Sequence, residues 1–240
     1  MPATYDRTRV IALGCGPGGL AVIRSLGRRG IPVVAMTHDL SEVGTASRYA
    51  ASVAQCPHPR DGDALAKFLT ASDEHHGALL IEAGDYYAIA VSQHRERLVE
   101  RYATTAAPWD VASQLIDKAQ LSDFAADAGI PAPRSLRIDP TTPAEELAAF
   151  PLPSLVKPTR SQEFVEAFRR KLVVATTPDE RQDAISAALD RGLAVILQEI
   201  VPGPERNLVQ VKAYVDRTGR TTHRRTYRKL RQSPPGYGVI

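Results

Sequence analysis

Only two cysteines, Cys15 and Cys56, occur in the 240 residues. Two thiols are too few for a disulfide framework or a cysteine zinc site, and they suit a reducing compartment, so a cytoplasmic location is expected. Long apolar runs are also missing. Residues 1–7 are polar, and the apolar stretch after them is broken by Gly14, Gly16, Pro17, Gly18 and Gly19. Neither a signal peptide nor a membrane span is therefore expected. Repeats and low-complexity segments are absent. His75, His76 and His94 lack a metal-ligand spacing with a carboxylate or cysteine and read as surface residues. Acidic residues are absent from 217–231, which holds seven Lys or Arg, although the net charge is only +3. A run of that kind is a solvated face or a site for an anionic partner.

What is present is an ordinary globular composition, 43% hydrophobic and 24% charged, long enough for two cored domains. Residues 9–13 read as a short buried strand, followed by the glycine turn 14–19, a helix with apolar residues at helical spacing up to Gly30, and a second strand at 31–36. Strand, glycine turn, helix, strand predicts a parallel sheet with a right-handed crossover. Gly14, Gly16 and Gly19 match the dinucleotide fingerprint, and Asp39 lies 39 − 19 = 20 residues beyond, where a ribose-binding acid sits. The same glycines serve wherever a helix start approaches any small anion, so both readings stand. Arg48 follows in a loop, as a fork for a carboxylate or phosphate or as a surface residue.

Further on, 61–72 reads as a helix with Leu65, Phe68 and Leu69 inward, and 78–81 as a buried strand. Asp85 is expected to cap the helix after it. A boundary is expected near 105. Asp117-Lys118 then opens a helix with Leu121, Phe124 and Ala125 inward, ended by Gly129-Ile-Pro131. A strand at 135–138 and a short helix at 143–149 lead to three apolar strands that carry charge: Leu155-Val-Lys157-Pro158, Lys171-Leu-Val-Val-Ala175 and Val195-Ile-Leu-Gln198-Glu199. A charge inside a buried strand must meet a partner or a ligand. Lys157, Lys171, Glu199 and Glu205 converging on an apolar slot suit a nucleotide, and the plainer reading is a sheet whose lysines snorkel. Residues 159–170 read as a polar loop and 178–190 as a helix. Period-two alternation from 207, a Thr218-Gly219 turn and a return over 221–227 predict a hairpin with an open edge, which allows self-association into a homodimer.

Assembled in order, these pieces resemble the ATP-grasp superfamily, and within it the carboxylate–amine ligase group that includes D-aspartate ligase. The matching pieces are the glycine unit closing on Ser47-Arg48-Tyr49, Asp117-Lys118 before a helix ending Gly-Ile-Pro, Leu155-Val-Lys157-Pro158, Lys171 in its strand, Gln198-Glu199-Ile-Val-Pro-Gly203, and Arg228-Lys229-Leu-Arg231. The resemblance implies an α/β doubly wound N-terminal domain over 1–105. An α+β ATP-grasp domain follows, with its small lobe over 106–194 and the start of its large lobe over 195–240. It implies a ligase that phosphorylates a small-molecule carboxylate with ATP and Mg²⁺ and passes the acyl group to an amine.

By the same resemblance Lys118, Lys157 and Lys171 approach the nucleotide. Ser161 lies in the phosphate-covering loop, Gln198, Glu199, Ile200 and Val201 form the hinge that reads adenine, and Glu199 or Glu205 takes the base or ribose. Arg228, Lys229 and Arg231 face the acylphosphate. Gly16, Gly18, Gly19 and Arg48 are assigned to the acceptor carboxylate or to packing. The family's magnesium ligands are expected beyond residue 240, so no metal ligand is assigned and the chain alone is expected to be catalytically silent. The basic run comes without interleaved aromatics, which disfavours nucleic acid. The alternatives are an NAD(P)-dependent oxidoreductase using the glycine turn and a non-catalytic nucleotide-binding remnant.

Overall fold

The computed structural model describes residues 9–216 and 218–230, with the backbone alone at 161–163. The chain divides into two compact units, Met1–Leu121 and Ser122–Ile240.

The first unit is built on a five-stranded sheet of β1 (Val10–Leu13), β2 (Val33–Thr37), β3 (Ser52–Gln55), β4 (Leu79–Glu82) and β5 (Ala103–Thr104). Their order is β3-β2-β1-β4-β5, and every pairing is parallel. Because strand side chains alternate, each apolar run feeds both faces. Val10, Ala12, Val33 and Ala35 pack with Ile23 of α1 (Pro17–Gly27) on one side. Ile11, Leu13, Val34 and Met36 pack on the other with Leu65 and Leu69 of α2 (Gly62–Thr70) and Tyr87 of α3 (Asp85–Gln93). That is a doubly wound α/β layer. The short α4 (Arg95–Val99) buries Leu98.

Four sequence expectations change here. Phe68 is 40% exposed, because α2 turns its Leu65–Leu69 edge to the sheet and leaves Phe68 at the rim. Asp85 is the first helical residue of α3 rather than its cap; Gly84 holds the cap position without a side-chain bond. The unit also runs on past 105, since Ala106 packs against its core and α5 (Trp109–Ile116) lies against α3. In α6 (Lys118–Asp127), Ala125 is buried, whereas Leu121 and Phe124 are exposed.

The second unit holds the sheet β6-β9-β7-β8, formed by β6 (Ser135–Ile138), β7 (Ser154–Pro158), β8 (Val173–Ala175) and β9 (Val195–Glu199). All of its pairings are antiparallel. The strand placed beyond 194 is thus a central member of the same sheet as the strands before it. On one face Val156, Val195 and Leu197 join Phe164 of α8 (Ser161–Phe168) and Ile185 and Ala188 of α9 (Pro178–Leu189) in a core. The short α7 (Ala144–Ala149) adds Leu147 to its margin. The 159–170 stretch is therefore largely a helix and not a loop: Phe164 and Phe168, four apart, share a face with ring centroids 4.5 Å apart. Lys171 precedes β8 and is exposed.

Beyond the sheet, β10 (Val209–Val215) and β11 (Thr221–Arg228) form an antiparallel hairpin. Its turn is held by Asp216 Oδ1, which accepts from Thr218 N and Arg220 N, and by Gly219 at φ +79°. Among the described residues no helix is long and apolar enough to cross a membrane.

Candidate functional site

Alternation in β7 and β9 decides what the sheet of the second unit offers on the face away from its helices. Val156 and Leu197 point into the core, so Leu155, Lys157 and Gln198 point the other way. They line a cleft of about 530 Å³, a size suited to a small organic ligand. Its remaining walls come from Leu172, from Glu199 and the Ile200–Glu205 turn that leaves β9, and from Leu208 and Lys229 at the base of the hairpin.

Two of the half-buried charges, Lys157 and Glu199, have partners close by. Lys157 Nζ donates to Gln198 Oε1 at 2.5 Å, and Gln198 Nε2 donates to Ser135 Oγ at 3.1 Å. Glu199 is tied twice to Arg134: its backbone N–H donates to the Arg134 carbonyl, and its Oε1 accepts from the Arg134 N–H, both at 2.9 Å. One oxygen of the Glu199 carboxylate is therefore engaged. At the far wall Gly203 adopts φ +137°, a conformation that favours glycine, and lets the Pro202-Gly203-Pro204 turn fold back toward Asn207. The result is an apolar floor of Leu155, Leu172, Val201 and Leu208 with an ammonium group at Lys157 and another at Lys229.

Seven of the residues singled out in the sequence line this one cleft: Lys157, Gln198, Glu199, Ile200, Val201, Glu205 and Lys229. Lys171 and Arg228 do not line it, the latter being exposed on β11. Arg231 and the side chain of Ser161 lie outside the described residues. Leu155, Leu172 and Ser135 were not singled out, although the alternation that turned Lys157 to the cleft was enough to find Leu155.

The first unit holds the other candidates at the C-terminal ends of its strands, where sheets of this class place ligands. Gly14 has φ +88° and lies against the Tyr87 ring; a Cβ on Gly18 would sit 3.2 Å from the Ala83 carbonyl oxygen. The mouth of the turn is taken by a carboxylate of the chain itself. Glu42 Oε2 accepts from Cys15 N at 2.5 Å and from Thr37 Oγ1 at 2.6 Å, and Glu42 Oε1 lies 3.5 Å from where a Cβ on Gly16 would be. No local pattern marks Glu42, since its contact to Cys15 depends on the loop after β2 folding back over β1. Asp39 is held within its own turn, accepting from Ser41 N and Oγ. Arg48 lies over the Tyr49 ring and donates to its hydroxyl. Lys118 is half-buried; burial pushes its pKa down, against the pull of Asp85 and Asp117. Asp117 Oδ1 meanwhile accepts from Ala119 N and Gln120 N at the start of α6.

Among the described residues no three His, Cys, Asp or Glu side chains stand together as a metal site.

No family model matches the chain. It is 27% identical over 154 residues to D-aspartate ligase of Enterococcus faecium (strain Aus0004), a match covering 60% of this chain and 37% of that enzyme. Among solved structures it is similar to an N5-carboxyaminoimidazole ribonucleotide synthetase in complex with ADP, with TM-score 0.67, 13% identity, and 94% of this chain against 55% of the other. It is also similar to L-amino acid ligase from Bacillus licheniformis, with TM-score 0.63, 12% identity, and 89% against 48%. The chain thus spans about half the length of these solved structures and less of the curated relative. The fold is that of ATP-grasp proteins, and the similarities point to the carboxylate–amine ligase group within them.

Proposed function

We propose that this chain supplies the nucleotide-binding part of an ATP-dependent ligase that joins a small-molecule carboxylate to an amine. In that reaction a carboxylate oxygen attacks the γ-phosphorus, ADP leaves, the amine nitrogen attacks the acyl carbon, and phosphate departs. The observation that carries the reading is the cleft of the second unit, where an apolar floor, a hinge turn and two ammonium groups meet in about 530 Å³. In this reading Leu155, Leu172, Val201 and Leu208 hold the adenine. Ile200 and Val201, having left the β9 ladder, present backbone groups to its edge, and Glu205 takes the ribose hydroxyls. Lys157 sets a point charge against the phosphates, where charge develops during transfer. Lys229 faces the transferred group from the hairpin side.

In such a reaction Mg²⁺ would supply charge neutralisation at the phosphates; among the described residues no three His, Cys, Asp or Glu side chains stand together to hold it. The chain's own residues bind, orient and neutralise.

The glycine turn is read as substrate positioning or packing and not as a dinucleotide site. Glu42 supports this: its carboxylate already accepts the Cys15 N–H and would face a pyrophosphate with like charge. Buried, free Cys15 and Cys56 fit a reducing cytoplasm.

The test is calorimetric titration of the chain with ADP and with NAD⁺. ADP binding is expected, and Lys157→Ala should weaken it about tenfold or more, as the loss of a charged contact worth about 1.5–3 kcal/mol implies. Binding of NAD⁺ but not ADP, or ADP binding untouched by Lys157→Ala, would overturn the reading.

A further inference from the structure

Three polar side chains on the cleft face of the second unit are joined in one line across its sheet. Ser135 of β6 stands directly opposite Gln198 of β9, and Lys157 of β7 stands opposite Ile196, two residues from Gln198 and hence on the same face. Because β6, β9 and β7 are neighbours in that order, the three are within reach of one another. Lys157 Nζ donates to Gln198 Oε1, Gln198 Nε2 donates to Ser135 Oγ, and Ser135 Oγ donates to the Pro133 carbonyl at 3.2 Å. All three side chains are half-buried. Lys157 and Gln198 line the cleft, whereas Ser135 is not among its walls.

Each direction in this line follows from what its groups can do. An ammonium group only donates, so Lys157 must meet the oxygen end of the Gln198 amide. A backbone carbonyl only accepts, so the single hydroxyl proton of Ser135 goes to Pro133 and its lone pairs face Gln198, where they call for the NH₂ end. Both ends therefore select the same one of the two amide orientations. Alanine at 135 would leave the NH₂ end without that acceptor, and the amide that holds Lys157 would be fixed from one side only. The neutrality of the middle member matters as well. A carboxylate at 198 would bind Lys157 more strongly but cancel its charge; the amide holds the ammonium group and leaves its field intact for an anion in the cleft.

We propose that Ser135 and Gln198 are positioning residues for Lys157: the hydroxyl orients the amide, and the amide holds the ammonium group without neutralising it. That the ammonium group is held against nucleotide phosphates rests on the ligase reading. The line of bonds that holds it does not.

The experiment uses the full chain and two readouts. The first needs no nucleotide: in the NMR spectrum of the chain carrying isotope-labelled lysine, the Lys157 Cε–H signal is the one lost in Lys157→Arg. Ser135→Ala should shift that signal, and Ser135→Thr, which keeps the hydroxyl and suits a strand, should restore it. The second readout is calorimetric titration with ADP. Ser135→Ala should weaken binding about threefold, as the loss of one neutral hydrogen bond implies, and should cost nothing further once Lys157→Ala is present. Gln198→Glu keeps the shape and strengthens the bond to Lys157, yet it should weaken ADP binding about tenfold, because it sets a carboxylate beside the phosphates. Residues that merely support the sheet would give losses additive with Lys157→Ala and none for Gln198→Glu. A Lys157 signal untouched by S135A, additive losses for S135A and K157A, or undiminished ADP binding by Q198E would each overturn the proposal. A chain that binds no ADP at all would sink the ligase reading instead, and the response of the Lys157 signal to S135A and S135T would then support or overturn the positioning line alone.

Discussion

Cys15, Cys56, Tyr87 and Tyr102 are titratable groups placed among apolar neighbours. Burial pushes the Cys15 thiol up to about 12, with Glu42 adding to it, and the Cys56 thiol up to about 11; burial also raises both tyrosines. A raised folded pKa means that the native chain keeps a proton which the unfolded chain gives up. The stability these groups contribute is therefore complete below about pH 9, the ordinary thiol range, and is lost as pH rises through the folded values. Lys118 runs the other way, because its folded pKa is depressed and its burial cost is relieved as pH rises, but it is one group against four. The urea midpoint is expected to fall as pH rises from about 9 to about 11, and a flat or rising midpoint across that range would refute this. Legibility at this scale followed locality. Lys157 and Glu199 announced themselves as charges within apolar strands, and partners were indeed found at Gln198 and Arg134. Periodicity alone puts Phe68, Leu121 and Phe124 inward, but it fixes only the spacing of an apolar stripe and not how wide a stripe the neighbouring layer covers, and all three are exposed. The Glu42 contact to Cys15 joins residues 27 apart through a loop, and no local pattern encodes it.

At the scale of elements, the unit formed by β1, the glycine turn and α1 is where sequence and geometry agree most closely, because its residues are constrained twice. Gly14 is needed for its positive φ and Gly19 for space: a Cβ on Gly19 would run into the Gly14 carbonyl, which belongs to the backbone and cannot swing aside. Gly19→Ala is therefore expected to destabilise the first unit by about 3 kcal/mol or more, since the turn itself must shift. Gly30→Ala should cost only about 1 kcal/mol, the strain of its positive φ, because a Cβ there meets nothing within 4 Å. Urea unfolding of both variants checks the difference; equal losses would mean that the close approach is relieved cheaply. Elements with a strong stop were legible, as with α9, which opens on the Thr177 cap and ends before Gly192 at φ +70°. α8 was hidden because its N-terminal residues are polar and the expected phosphate loop offered another reading of them; the Phe164–Phe168 pair was the signal that favoured helix. β5 is an edge strand of two residues, too brief to leave a pattern, and the edge strand β3 is mostly exposed and carries no apolar run.

For the whole molecule, the division into Met1–Leu121 and Ser122–Ile240 makes a single unfolding transition the wrong expectation, and the sequence supplies the probe to show it. Trp109 is the chain's one tryptophan and lies in the first unit, whereas every residue lining the proposed nucleotide cleft lies in the second. Tryptophan fluorescence thus reports on one unit, and far-UV circular dichroism reports on the helices and strands of both. A ligand that binds only folded protein stabilises what it binds by about 2.7 kcal/mol at a hundred times its Kd. ADP at that excess is expected to raise the urea midpoint of the dichroism transition that Trp109 does not report, leaving the fluorescence transition in place. If the fluorescence transition moves by the same amount, the nucleotide engages the first unit as well, and confining the site to Leu155, Lys157 and the 198–205 turn is wrong. If neither moves while ADP is in excess, the cleft is not a nucleotide site, and the ligase reading loses the observation that carries it.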